Sequence, residues 1–272
     1  MNRTLELLTI TLLAVACTPD KTGVEAISFK ADDFRFENAS RSDLAPDGTF
    51  KWSQADTVGI FPDSGSQIYF ALEAGSGASC ATFDGGAWDL KPSTAYLSYY
   101  PFVGDIYLNK AAIPVSYQGQ KQTANASAAH VGAYDFMYAS GTVGADGKLL
   151  FNYHHLNALL RMELDVAPAT YTNVNLTGDA SLFVTAGHYD LTACTPSIIA
   201  DKTSSALKLA LGNVAVAEGD KLILYAVIAP ADFSGLTITA TLTGKSVTAQ
   251  TFKFKPVKAF EAGHGYILTA SN

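Results

Sequence analysis

Between positions 236 and 243 the chain reads Leu-Thr-Ile-Thr-Ala-Thr-Leu-Thr, with an apolar residue at every second place and a β-branched threonine at the others. Successive side chains of a strand point to opposite faces, so this period fits a strand with one buried face and does not fit an amphipathic helix. A slip of one residue would turn the whole apolar set to solvent, which fixes the register. Leu160, Met162, Leu164 and Val166 alternate with Arg161, Glu163 and Asp165 in the same way. Shorter runs at 57–61, 67–72, 95–100, 207–211, 251–255 and 266–269 are separated by turn pairs such as Asp47-Gly48, Gly85-Gly86, Asp146-Gly147 and Gly219-Asp220. The stretch 222–228 is nearly continuous in apolar character, reads as a central strand covered on both sides, and ends at Pro230. Sustained helical periodicity is absent. The Ala-rich piece 123–133 suits either two or three helical turns or an ordered loop. The chain is therefore expected to be all-β, with antiparallel sheets.

The N-terminus adds a location. Met1-Asn2-Arg3 carries one positive charge, and Leu5, Leu7, Leu8, Ile10, Leu12, Leu13, Ala14, Val15 and Ala16 follow. A membrane-spanning helix needs roughly 20 apolar residues, so this run has the outline of a signal peptide over residues 1–16 instead. The segment Leu13-Ala14-Val15-Ala16-Cys17 resembles the bacterial lipobox, in which the cysteine is diacylated and becomes the new N-terminus. Acyl chains on Cys17 would tether the protein stably to a membrane; an ordinary peptidase cutting nearby is the other reading. Both export the chain. Removing the leader leaves about 255 residues, comfortable for two domains. The Gly-rich and polar interval 138–148 is the candidate boundary, giving an N-terminal domain over 17–145 and a C-terminal one over 146–272.

Net charge is −7, from 18 Lys and Arg against 25 Asp and Glu, without a basic run. That excludes nucleic acid as the expected partner. Cys80 and Cys194 are far apart in sequence and read as buried free thiols rather than a bridge. No histidine pair among His130, His154, His155, His188 and His264 has the i, i+4 spacing of a zinc hydrolase. His154 and His155 are adjacent, so on one strand they face opposite ways, and His155 shares the phase of Phe151 and Tyr153 as a packed residue. Residues 75–79, Gly-Ser-Gly-Ala-Ser, lack the spacing of a serine-nucleophile elbow, and Asp32-Asp33 and the turn aspartates lack the alternation of a calcium loop. Neither a catalytic residue, a metal site nor a cofactor is expected. The grouped Tyr96, Tyr99, Tyr100, Phe102 and Tyr107, with Trp52 and Trp88, read as core, with a sugar-stacking platform as the alternative.

The order of several local patterns resembles the fimbrillin-like family, the lipoprotein subunits of type V pili and related surface proteins of anaerobic gut and oral bacteria. After the lipobox come Ile27-Ser28-Phe29, a polar loop with Arg41, and Trp52-Ser53-Gln54-Ala55-Asp56-Thr57-Val58-Gly59-Ile60-Phe61. Then follow Ala95-Tyr96-Leu97-Ser98-Tyr99-Tyr100-Pro101-Phe102, Asp135-Phe136-Met137-Tyr138-Ala139, and the stretch from Leu150-Phe151-Asn152-Tyr153-His154-His155 to Leu160. The resemblance implies two tandem antiparallel β-sandwich domains with transthyretin-like topology. It also implies a non-enzymatic pilus subunit, tip or anchor, held at the outer membrane by its lipid and exposed at the cell surface. In polymerising members an Arg-specific protease removes the first strand and a strand from another subunit fills the groove. Carried over, the displaced strand is Ile27, Ser28, Phe29 and Lys30, with the cut after Arg41 or, second, Arg35. The partners would be other pilin subunits and a host or glycan receptor. A surface lipoprotein that binds glycans without polymerising is the alternative.

Overall fold

The computed structural model describes residues 27–31, 35–38, 50–62, 65–85, 95–104, 107–144 and 148–270. In chain order the early strands are β1 (Ile27–Ala31), β2 (Arg35–Asn38), β3 (Thr57–Phe61), β4 (Ile68–Ala74), β5 (Cys80–Asp84), β6 (Ala95–Tyr100), β7 (Ile113–Ser116), β8 (Lys121–Gln122), β9 (Met137–Thr142) and β10 (Leu149–His155). The later ones are β11 (Ala158–Asp165), β12 (Ala169–Gly178), β13 (Phe183–Tyr189), β14 (Ile199–Ser204), β15 (Ala206–Val216), β16 (Lys221–Ile228), β17 (Ile238–Lys245), β18 (Val247–Phe254) and β19 (His264–Ala270). The protein is all-β, as the alternation demands.

Strands β1, β10, β9, β6, β3, β4 and β5 close into a barrel. Its interior holds Trp52, Val58, Ile60, Phe70, Phe83 and Phe151 among other buried residues. The later strands form a four-stranded sheet in the order β16-β11-β19-β2 and a five-stranded sheet in the order β18-β17-β12-β15-β8; β14, β13 and β7 make a smaller third sheet. A second and larger core lies among these sheets and reaches Phe61 and Tyr99 of the barrel. Three early segments thus serve the later sheets: β2 pairs with β19, β7 with β13 and β8 with β15.

The period-two readings hold at residue level. Ile238, Ala240 and Leu242 are fully buried, whereas Thr243 is exposed. Met162 and Leu164 are buried and opposed by Leu224 and Leu222. Three expectations are corrected. The pairing is mixed, because β1 with β10, β11 with β19, β19 with β2 and β8 with β15 run parallel. Parallel pairs need long crossovers, which local turn chemistry does not announce. The 222–228 run is not central: β16 lies at the edge of its sheet. Of the two readings of 123–133 the ordered loop holds, with a 3-10 turn at Val131–Ala133. The cysteines differ too, since Cys80 is disulfide-bonded and Cys194 is free but exposed.

Truncating a buried leucine removes its transfer free energy and leaves a cavity, whereas an exposed threonine has little to lose. Leu242→Ala should therefore cost about 2–5 kcal/mol and Thr243→Ala less than about 0.5 kcal/mol in urea unfolding. Equal losses at both positions would contradict the assigned faces.

Candidate functional site

Strand β1 occupies a slot between two strands distant from it in sequence. It runs parallel to β10, with Ile27 opposite Leu149, Phe29 opposite Phe151 and Ala31 opposite Tyr153. On its other side it runs antiparallel to β5, with Phe29 opposite Ala81 and Lys30 opposite Cys80. In β10, Leu149, Phe151 and Tyr153 are buried, while Leu150 and Asn152 are exposed. Ala31 is buried and Lys30 exposed, in keeping with that phase. The slot ends in an additional backbone bond, Ala31 N–H to Ser79 O at 3.4 Å.

An aromatic cluster lies within the barrel beside the slot. The Trp52 ring centroid is 5.0 Å from Phe83, 5.5 Å from Tyr100 and 5.7 Å from Tyr153, all close to edge-on. Such crossings match the positive ring edge to a negative face. The backbone of Trp52 is pinned at both ends, its N–H donating to Ala78 O and its carbonyl accepting from Gly77 N–H. The acid that follows has a structural task. Asp56 accepts from the Ser53 N–H at 2.7 Å and from the Tyr100 hydroxyl at 2.9 Å, and burial raises its carboxyl above the usual range. The glycine of the same motif is required by close approach: a Cβ on Gly59 would stand 2.2 Å from the Tyr99 ring.

Where the barrel meets the later sheets, four buried polar residues converge. Asp135 Oδ1 lies 2.8 Å from His155 Nδ1 and accepts from Asn157 Nδ2 at 3.3 Å. Asn157 Nδ2 also donates to Phe136 O, and the Tyr117 hydroxyl donates to Asn157 Oδ1 at 2.5 Å. The His155 and Asp135 side chains are each only 1% exposed, so no substrate can reach this pair. It is a buried polar junction whose bonds converge on Asp135 Oδ1, while Asp135 Oδ2 is buried without a hydrogen-bond partner. The motif quoted at 135–139 and the one at 150–160 thus come together in space, and His155 is the packed member of its pair while His154 is exposed.

Of the candidate site residues, Ile27, Ser28, Phe29 and Lys30 form most of β1, and Arg35 opens β2, opposite His264 of β19. Cys17 and Arg41 lie outside the described residues. Among the aromatics, Trp52 is buried, whereas Tyr69 and Tyr107 are largely exposed. Trp88 lies outside the described residues. Two pairings escaped sequence reasoning, that of β2 with β19 and the polar junction itself. The junction carried a signal, a buried-phase His155 two residues before Asn157, but nothing local pointed to Asp135.

The fimbrillin-like family matches this chain over residues 51–271, and the chain belongs to that family. No curated protein sequence matches it. Among solved structures, a Bacteroides ovatus protein described as a cell adhesion protein superposes with a TM-score of 0.60 at 16% identity, covering 92% of each chain. A similarly described Bacteroides uniformis protein gives 0.58 at 18% identity, covering 82% of this chain and 88% of that one. These likenesses are of fold. Family membership gives the protein a structural, pilus-related role at the cell surface, in contact with other pilin subunits.

Burial pushes the Tyr99 hydroxyl up to about 12 and raises Tyr100, Tyr117, Tyr153 and Tyr189 as well, with nearby Asp135 adding to the effect at Tyr117. In the unfolded chain each titrates near about 10. These groups hold protons more tightly when folded, so their contribution is complete below pH about 10 and is lost as pH rises through the folded values. Alkaline titration should show tyrosinate absorbance from the buried rings appearing together with loss of circular dichroism. Smooth ionisation of all 13 tyrosines in a folded protein would contradict their burial.

Proposed function

We propose that this protein is a lipid-anchored pilus subunit of the outer membrane that accepts a strand from another subunit after its own first strand is removed. The observation that supports this reading most is the slot of β1, which pairs with β10 on one side and β5 on the other and so closes the barrel. Once vacated, each would present a row of unpaired N–H and C=O groups beside an apolar interior. An extended segment of alternating character restores those bonds, with backbone pairing giving affinity and alternate side chains giving selectivity. The reading includes two domains, 17–145 and 146–272, related to transthyretin-like sandwiches, and leaves stalk, tip and anchor as positions the subunit could fill. Binding of a glycan without polymerisation is less well supported, since Trp52, one of its two tryptophans, is buried.

A cut after Arg41 would release β1 and β2 together, whereas a cut after Arg35 would free β1 and leave most of β2 on β19. Treating the purified chain with an Arg-specific protease should yield a new N-terminus at Ser42 and oligomers on size-exclusion chromatography. Arg41→Ala should remain intact and monomeric. A chain that is cut at Arg41 yet stays monomeric would sink the polymerising reading.

Lipidation of Cys17 has its own test. A thioether on Cys17 would give the N-terminal peptide of the mature protein the added mass of a diacylglyceryl group, independently of the disulfide at Cys80 and the free thiol of Cys194. Mass spectrometry of that peptide from membrane-extracted protein reads the modification. A mature N-terminus without the lipid mass would reject the anchor.

A further inference from the structure

Strand β16 lies at the edge of the four-stranded sheet, yet its free side carries no exposed backbone groups over most of its length. Its register with β11 leaves Lys221, Ile223, Tyr225 and Val227 turned away from the sheet. From the Lys221 carbonyl to Val227, each outward group meets a side chain. Val227 N–H donates to Gln120 Oε1 at 2.8 Å, and Val227 O accepts from Gln120 Nε2 at 2.7 Å. Tyr225 N–H donates to Gln122 Oε1 at 2.9 Å, while Gln122 Nε2 donates to Ile223 O at 2.8 Å. Ile223 N–H donates to Asn125 Oδ1 at 2.8 Å, and Asn125 Nδ2 donates to Lys221 O at 2.9 Å. Tyr225 O has His130 Nε2 at 3.1 Å, and Ile223 O also accepts from Ala126 N–H.

A primary amide carries a donor and an acceptor side by side, as a peptide group does, so amides two residues apart can stand in for a neighbouring strand. The backbone of the same segment is committed elsewhere. Lys121 and Gln122 pair in parallel with Ala210 and Leu211 of β15, and Ala210 N–H donates to Gln120 O at 2.9 Å. The segment therefore belongs to the five-stranded sheet by its main chain and closes the four-stranded sheet by its side chains. Gln120 and Gln122 are both buried, at 1% and 0% exposure, which makes them costly to leave unpaired and places them firmly.

We infer that Gln120, Gln122 and Asn125 form a surrogate strand that bars the β16 edge from pairing with β16 of a second copy of this chain. An apolar, β-rich edge such as Leu222 to Ile228 is what self-association by strand addition selects, and proteins with such edges block them. Two copies of β16 related by a twofold axis would pair antiparallel, using the same N–H and C=O groups that the amides now occupy. This inference does not depend on removal of β1, because the barred edge lies on another strand of another sheet.

The test uses the full exported chain carrying Arg41→Ala, so that association through the β1 slot cannot contribute. Gln120→Met, Gln122→Met and Asn125→Leu together keep side-chain volume and remove the amides. Size-exclusion chromatography with light scattering should show the parent monomeric and the triple variant dimeric or larger as concentration rises. At low concentration the amides of Ile223, Tyr225 and Val227 should exchange with solvent at least about tenfold faster than in the parent. Adding Tyr225→Pro, which no incoming strand can pair with at that position, should restore the monomer. A folded triple variant that stays monomeric overturns the inference, as does association that survives the proline. Should the triple variant not fold, Gln122→Met alone and exchange in the parent decide it: unprotected Tyr225 and Val227 amides in the parent would mean that the amides do not close the edge.

Discussion

A strand edge is a row of backbone donors and acceptors that must be paired with protein or water, and the arrangement of this molecule follows from how each edge is met. The barrel has no edge because β1 completes it. The four-stranded sheet is met on one side by β2, laid parallel on β19, and on the other by side-chain amides. One short stretch of chain, 27–38, thus supplies the closing strand of the barrel and an outer strand of a second sheet. Such a stretch acts as a staple between the two cores, and its loss would be felt in both.

The residues that carry the family resemblance turn out to do mechanical rather than chemical work. Trp52 fills the barrel interior, Asp56 ties its turn to Tyr100, Gly59 makes room for Tyr99, and Asp135, His155 and Asn157 knit the barrel to the later sheets. Each bond of that junction contributes only about 1 kcal/mol net, but leaving one buried member unpaired costs about 1–3 kcal/mol. That asymmetry makes the set interdependent. A histidine beside an aspartate is a familiar catalytic pairing, yet here both are sealed from solvent and serve position alone.

Faces were legible in the sequence, while partners were not. Period two told which side of β11 and β17 is buried, because that follows from the chain itself. It could not tell that β16 is an edge strand, since apolar residues on both faces look the same whether a strand or a set of amides covers its flank. The order Gln120, Lys121, Gln122 held the clue in its i, i+2 spacing, but amides in turns are common and their reach is set by tertiary structure. Parallel pairings of β1 with β10 and β2 with β19 were hidden for a related reason: they join segments far apart in the sequence, Ile27 with Leu149 and Arg35 with His264. The candidate slot was found only through the order of motifs, and the polar junction only as one buried histidine.

The tether explains why a cut, rather than competition alone, would control exchange at the slot. A five-residue strand bonded on both sides gains roughly 1 kcal/mol per backbone bond and gives back about 1–2 kcal/mol of conformational entropy for each residue ordered, so its net hold is small. While β1 remains covalently attached, its effective concentration at the slot is on the order of millimolar. A donor strand from another subunit present at micromolar levels then faces a disadvantage of roughly a thousandfold, or about 4 kcal/mol, even if its intrinsic fit is equal. Cutting the tether removes that advantage without altering a single contact in the slot. On the proposed reading, the same short strand that closes the barrel would then be held weakly enough to leave, and a longer donor with more alternate apolar residues would displace it and stay.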